Sequence, residues 1–379
     1  MEYKRLGVYI REVNVRNKDL KVTNLLGVSI SKEFMPSIAN TIGTDMSAYK
    51  IVQRGQFAYG PVTSRNGDKV SIALLDGYED AIISQAYTVF EVIDREELLP
   101  EYLMMWFRRP EFDRYARFHS HGSAREIFDW NELCDVMLPI PSITRQREIV
   151  SEYETLTNRI RLNNQMIQHL EATAQTLYRK TFVDGIDKEH LPEGWRMGTL
   201  GDICLVNPKL SLKVGISAPF YDMDSLPIQG FFMDKARNRD FYNGTKFQNG
   251  DVLIARITPC MENRKAAIVS ELKESEIAFG STEFIVLRGS QQKLTFLFAT
   301  LVRNVEFRAY AKTQMKGTDG RQRVDATALI DFEMAIPKEY LLRKIEDDLS
   351  KLYNPMHIAT AENSTLIKLQ SLLLAKMGQ

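Results

Sequence analysis

At 379 residues, with 44% hydrophobic and 26% charged side chains, the chain has the composition of a soluble globular protein long enough for two domains. Basic and acidic residues balance at 49 each, which excludes a protein that grips nucleic acid by overall charge and confines any basic surface to local patches. The charged stretch from Met1 to Asn17 lacks the apolar core of a signal peptide, and no run approaches the roughly 18 apolar residues of a membrane span. A cytoplasmic protein with no membrane partner is expected. Cys134, Cys204 and Cys260 are odd in number and match no metal or redox spacing, so buried reduced thiols are expected.

Residues 1–141 read as a first globular unit of mixed strand and helix. Val28-Ser29-Ile30-Ser31, Tyr49-Lys50-Ile51-Val52, Gln56-Phe57-Ala58-Tyr59, Val70-Ser71-Ile72-Ala73 and Ala86-Tyr87-Thr88-Val89-Phe90 are short β-branched or aromatic stretches punctuated by Gly and Pro. Residues 99–107 and 110–117 read as helices. Residues 142–182 then carry apolar positions at spacings of four and three, the seam of a coiled coil: Ile149, Tyr153, Leu156, Ile160, Asn163, Ile167, Leu170, Ala174 and Leu177. Residues 183–195, with Gly185 and Leu191-Pro192-Glu193-Gly194, form a linker. Residues 196–337 repeat the mixed pattern, with strands at 251–256 and 283–287 and helices at 294–303 and 305–312. Residues 338–379 form a second helix with the seam Ile345, Leu349, Leu352, Met356, Ala359, Asn363, Leu366, Gln370 and Leu373. Pro355 is expected to kink this helix or end its first part.

The second half restates the first at an offset of about 195 residues, the kind of long period that decides a fold. Leu6-Gly7, Gly55, Ser84, Glu111-Phe112, Tyr115-Ala116 and Gly122 are answered in order by Leu200-Gly201, Gly250, Ser281, Glu306-Phe307, Tyr310-Ala311 and Gly317. One inserted residue later, Asp129, Leu133, Ile140-Pro141 and Ile149 match Asp325, Leu329, Ile336-Pro337 and Ile345. The fold class expected is α+β: two pseudo-symmetric globular α/β domains separated by two long helices that form an antiparallel coiled coil. A helix of about 40 residues spans roughly 60 Å, so such a pair would hold the two domains at opposite ends.

Apparatus for catalysis is missing from the pattern. There is no phosphate-cradling glycine loop, zinc-protease helix or Gly-x-Ser-x-Gly elbow, and no metal or cofactor is expected. Asn207-Pro208-Lys209-Leu210 lacks the second Pro and the aromatic of an adenine methyltransferase motif. Glu271-Leu272-Lys273 carries a nuclease-like Glu-x-Lys without an upstream Pro-Asp partner, and reads as a solvated turn. His119 and His121 have no third ligand nearby and read as loop histidines.

Taken together, Tyr49-Lys50-Ile51-Val52 leading to Gly55-Gln56-Phe57-Ala58-Tyr59-Gly60-Pro61, then Ile83-Ser84-Gln85-Ala86-Tyr87-Thr88-Val89-Phe90, Leu138-Pro139-Ile140-Pro141, Arg145-Gln146-Arg147-Glu148-Ile149-Val150 and Leu191-Pro192-Glu193-Gly194-Trp195 resemble the specificity subunit of a Type I restriction-modification system. The resemblance covers essentially the whole chain. It implies two target recognition domains, at 1–141 and 196–337, each reading half of a split and asymmetric double-stranded DNA target. It implies conserved spacer helices that set the gap and dock methyltransferase subunits, two per chain, with ATP-dependent restriction subunits joining through the complex. Such a subunit is itself non-catalytic. The second copy departs from the pattern at Ala335-Ile336-Pro337-Lys338 and Leu342-Arg343-Lys344. Two other readings remain open at this point: a self-sufficient DNA methyltransferase or nuclease, and a coiled-coil scaffold with protein- or glycan-binding ends.

Candidate DNA contacts are polar loops at matching places in the two copies. Residues 303–323 hold six Lys or Arg against two acids, and residues 112–125 hold three Arg and two His against one Asp. The first-copy candidates are Tyr59, Ser64, Arg65, Asn66, Lys69, His119, His121, Ser123 and Arg125. Those of the second are Arg256, Thr258, Asn263, Arg264, Lys265, Lys312, Gln314, Lys316, Thr318, Arg321 and Arg323. Arg and Asn can read guanine or adenine edges in the major groove, and Lys and Arg can hold phosphates.

Overall fold

A computed structural model describes residues 2–37, 43–64, 66–67, 69–122, 125–318 and 320–378. Its helices are α1 (Pro100–Phe107), α2 (Pro110–Phe118), α3 (Trp130–Cys134), α4 (Ile143–Phe182), α5 (Thr295–Leu301), α6 (Val305–Thr313) and α7 (Glu339–Lys376). The chain divides into two compact units: unit 1 is 1–158 with 367–379, and unit 2 is 159–366.

Unit 1 is built on an antiparallel sheet of four strands in the order Ile10–Val13, Thr88–Val92, Phe57–Tyr59, Ile72–Leu74. Successive side chains of a strand face opposite ways, so a strand that is apolar throughout must bury both faces. Phe57, Tyr59, Ile72 and Phe90 enter the core beneath α1, α2 and α3, where Phe57 and Phe90, paired across the strands, stack at 4.8 Å. Ala58, Ala73 and Val89 enter a second, smaller core with Val52, Ala81 and Ile83 of the strand pair Lys50–Gln53 and Asp80–Ile83. A pair between Tyr3–Arg5 and Met137–Pro139 closes the unit.

Unit 2 repeats this plan. Its sheet runs Cys204–Val206, Phe284–Gly289, Val252–Ala255, Ala266–Ile268, again antiparallel. Val252, Ile285 and Leu287 point into the core under α5 and α6, while Leu253, Ala267 and Val286 point into the smaller one. A second sheet, absent from the elements expected for this region, orders Arg237–Asp240, Ser217–Tyr221, Ala278–Gly280 and Thr245–Phe247. Trp195–Thr199 pairs with Glu333–Pro337 to close the unit.

The helices α4 and α7 run antiparallel. In unit 2 Arg159 Nε lies 2.8 Å from Glu362 Oε1, and Asn163 Nδ2 donates to Asn363 Oδ1 at 2.9 Å. In unit 1 Gln370 Nε2 donates to Thr157 Oγ1 at 2.7 Å. Every expected seam residue, from Ile149 to Leu177 and from Ile345 to Leu373, is buried or half-buried. The two seam asparagines thus satisfy each other, and Asn363 also donates to Asn164 Oδ1 at 2.9 Å. A buried amide without a partner would cost about 1–3 kcal/mol, so this pair favours one register.

Two expectations need refinement. Of the kink or end expected at Pro355, the end does not occur: helix α7 continues through it to Lys376. An interior Pro costs about 3 kcal/mol, and full burial of Tyr353, Met356 and Ala359 around it offsets that, at about 1.5–3 kcal/mol for each large apolar side chain. Of the three free thiols only Cys204 is buried, and burial pushes it up to about 12; Cys134 and Cys260 are half-buried.

One residue on each long helix fastens the first helix after the sheet. Gln146, from α4, accepts from Leu99 N at 2.9 Å and donates to Glu97 O at 2.8 Å and Pro141 O at 2.9 Å. Glu346, from α7, accepts from Phe296 N and Leu297 N, each at 2.9 Å, in the first turn of α5. Those N–H groups have no partner inside the helix, so a side-chain acceptor completes them. Burial raises the Glu346 carboxyl to about 7, against the lowering effect of the two backbone donors.

Candidate nucleic-acid interface

The two candidate loops of each copy are joined by equivalent backbone hydrogen bonds. In unit 1 Thr63 N donates to Glu126 O at 3.0 Å and Phe128 N to Pro61 O at 2.9 Å. In unit 2 Thr258 N donates to Gln322 O at 3.0 Å and Val324 N to Arg256 O at 2.8 Å. The ends of the later loop pair in both: His121 and Ile127 exchange bonds at 3.0 and 2.9 Å, and Met315–Lys316 pairs with Arg323–Val324. Gly122 at φ +134° and Gly317 at φ +121° follow the first paired strand end in each, and a Cβ at Gly122 would meet Arg125 O at 2.1 Å. Only glycine accepts that conformation and that approach together.

On this shared frame the side chains differ. In unit 1 Ser64, Lys69 and Arg125 are exposed, while Asn66 turns back on its own loop, donating to Val62 O and Ser71 Oγ at 3.3 and 3.2 Å. His119 stacks on Tyr115 with ring centroids 4.2 Å apart and lies 2.9 Å from Glu132; His121 lies 3.7 Å from the same carboxylate. Arg65 and Ser123 lie outside the described residues. Tyr59 leaves the candidate list: its side chain is 1% exposed, its hydroxyl reaches Phe128 O at 3.4 Å, and burial holds that hydroxyl far above the ordinary phenol range.

In unit 2 most candidate cations are matched by carboxylates. Arg323 makes a two-oxygen pair with Glu283 at 2.9 and 3.0 Å, which raises its already high pKa. Lys316 pairs with Asp325 at 2.8 Å, Lys265 with Asp224 at 2.9 Å, Lys312 with Glu262 at 3.8 Å, and Arg264 with Glu171 at 3.8 Å. Lys265 also donates to Met223 O at 3.0 Å, so it braces a neighbouring loop rather than facing outward. Arg256 is half-buried, with its backbone tied to Glu283 O, and Gln314 donates to Thr313 Oγ1. Thr258 is half-buried, while Asn263, Thr318 and Arg321 are exposed. The partner carboxylates Glu132 and Glu283 carry no local signal, because each meets a basic side chain from another part of the loop pair.

The motifs set aside in the sequence have structural roles. Asn207, at φ +51°, exchanges bonds with the Val286 backbone through its own N and Oδ1 at 2.8 and 2.9 Å. Glu271 is not merely solvated but lies 2.7 Å from His357 of α7, whose ring stacks on Phe232. Among the described residues no group of three or more His, Cys, Asp or Glu could hold a metal ion, and no helix is long and apolar enough to cross a membrane.

Two β-rich α+β units, together with the long antiparallel helices α4 and α7, define a class of two-domain proteins. A crystal structure of the Type I restriction-modification system S subunit from M. genitalium shares this fold over 100% of the present chain and 96% of its own, with a TM-score of 0.60 at 13% identity. In sequence the chain is 28% identical over 170 residues to the EcoEI specificity subunit of Escherichia coli, covering 43% of this chain and 28% of that one. It is 36% identical over 140 residues to the EcoAI specificity subunit of the same organism, covering 35% and 24%. These matches span about a quarter of the relatives' own length. No protein-family model matches the chain. The chain is thus similar to two Type I specificity subunits over part of its sequence and to a third such subunit in fold.

Proposed function

We propose that this chain is the DNA sequence-recognition subunit of a Type I restriction-modification complex. Residues 1–141 and 196–337 act as two target recognition domains, each reading one half of a bipartite, asymmetric duplex target. The observation that carries this reading is the loop pair: the same backbone frame is built twice and presents unlike side chains, as two readers of two different half-sites require. Half-sites centred about 34 Å apart face the same side of a duplex, and the spacer helices set that separation. The same helices dock methyltransferase subunits, two per chain, and restriction subunits join through the assembled complex. Methyl transfer and ATP hydrolysis belong to those partners, and the chain works in the cytoplasm.

The test is a gel-shift titration of the assembled methyltransferase on duplexes whose half-sites are separated by one base pair more or fewer. The expected result is a loss of specific binding on both altered duplexes. Indifference to the gap would overturn the reading.

A further inference from the structure

The second sheet of unit 2 carries an unneutralised row of cations. Cross-strand partners lie on the same face of a sheet. The register pairs Arg237 with Phe220, Phe220 with Phe279, and Phe279 with Lys246, so these four side chains form one row across all four strands. Arg239, two residues along, joins the same face opposite Ala218. The alternation of Arg237-Asn238-Arg239-Asp240 sends both arginines to this face and the acid to the other. Phe279 of this row is buried, and with Ala218 and Phe241 on the same face it forms a small apolar cluster between the cations. The Arg239 guanidinium lies 4.9 Å over the Phe220 ring and the Lys246 ammonium 5.0 Å over Phe241. Rings hold a cation in place without cancelling its charge.

The contrast with the loop pair in the same unit is sharp. There, Lys265, Lys312, Lys316 and Arg323 each face a carboxylate, whereas no described carboxylate forms an ion pair with Arg237, Arg239 or Lys246. A charge left unpaired on a rigid sheet is free to meet an outside anion. Three strand spacings of about 4.8 Å separate the first strand from the last, roughly 14 Å, which matches the ~12 Å major groove of a duplex carrying one charge per ~1.7 Å of axis.

We infer that this face of the second sheet in unit 2 is a phosphate clamp for duplex DNA, formed by Arg237, Arg239 and Lys246 and separate from the loop pair. The inference rests on the reading that unit 2 sits on DNA. The clamp positions the unit on the backbone and carries no sequence information, leaving base reading to the loops.

Anisotropy titrations of the methyltransferase assembled on the full-length chain, wild-type or variant, with duplex DNA between about 50 and 200 mM salt test it. The triple variant Arg237→Gln, Arg239→Gln, Lys246→Gln should reduce the slope of log affinity against log salt by about 3 × 0.9. It should also weaken binding on the order of a hundredfold at 0.15 M salt, equally on target and non-target duplexes. Arg239→Lys, which keeps the charge, should keep the slope. An unchanged slope in the triple variant, with the wild-type assembly binding normally, overturns the clamp and leaves the recognition reading intact. Loss of target preference with an unchanged slope overturns it as well, because it marks base contacts. Absence of duplex binding by the wild-type assembly overturns both. Should the triple variant melt early, Lys246→Gln alone decides, with an expected slope change of about 0.9.

Discussion

Gln146 and Glu346 do the same mechanical work with different chemistry. Each is buried on a long helix, at 0% and 8% exposure, and each completes backbone groups where the first helix after the sheet begins. The amide of Gln146 both accepts and donates, which suits a site offering one N–H and two carbonyls. The carboxylate of Glu346 only accepts, which suits a site offering two N–H groups. The geometry is equally good, but only the second joint can gain or lose a proton. Unit 2 therefore has a pH-dependent fastening where unit 1 has a neutral one.

The largest effect is expected from making the first joint resemble the second. Gln146→Glu would aim a carboxylate at Glu97 O and Pro141 O, leaving a buried charge opposed by acceptors. A loss of about 3–5 kcal/mol at pH 8 is expected, partly recovered at pH 5, where the protonated acid can donate again. Amide exchange within α1 as a function of pH would check it, and a flat response would break the comparison.

Next in size is the pH dependence of wild-type unit 2. The Glu346 carboxyl rises from 4.5 to about 7 on folding, so the folded state holds the proton more tightly. Stability from this group is complete below about pH 4.5 and is lost as pH rises through about 7, a change of about 3 kcal/mol. Protection of the α5 amides should fall across this window, while that of α1 should show no such step. Glu346→Gln should remove the step from α5.

The loop pairs sharpen the comparison on the functional side. Arg321→Ala with Arg323→Ala should weaken DNA binding by about 1–3 kcal/mol while methyltransferase docking persists, as read by gel shift and co-purification. Normal DNA binding by this double variant would remove the loop from the interface. Arg125→Ala, at the matching place in unit 1, should cost a similar amount and act on the other half-site.

The smallest effect is expected in the helix pair. Asn163→Ala removes the bonds to Asn363 Oδ1 and Glu362 Oε2, but Asn363 keeps its bond to Asn164 and Glu362 its pair with Arg159, so a loss of about 1 kcal/mol should appear in urea denaturation. A loss well above this would mean that the pair holds the register alone.

Much of the frame was legible because it rests on local periodicity. The seams show a heptad spacing that survives around Asn163, Asn363 and even Pro355, since burial of Tyr353 and Met356 outweighs one missing backbone bond. The helices at 100–107 and 110–118 begin at Pro100 and Pro110, where a missing N–H costs nothing. The site was less legible. Tyr59 has the residue type of a DNA contact, but its strand buries both faces. Arg323 and Lys316 have the right charge, but Glu283 and Asp325 meet them in space. The Arg237-Asn238-Arg239-Asp240 alternation is visible in the chain, yet its face acquires meaning only through pairing with Ser217–Tyr221.

By itself the sequence determined the two-fold repetition, the α+β character of each unit and the apolar stripe of each long helix. These follow from the order of side chains along one element, where spacing alone decides which residues share a face. Tertiary structure alone decided which charges remain free, which polar groups are satisfied and which loops meet. Those properties depend on distances between residues far apart in the chain, and a few ångströms separate a cation matched by a carboxylate from one left open to phosphate.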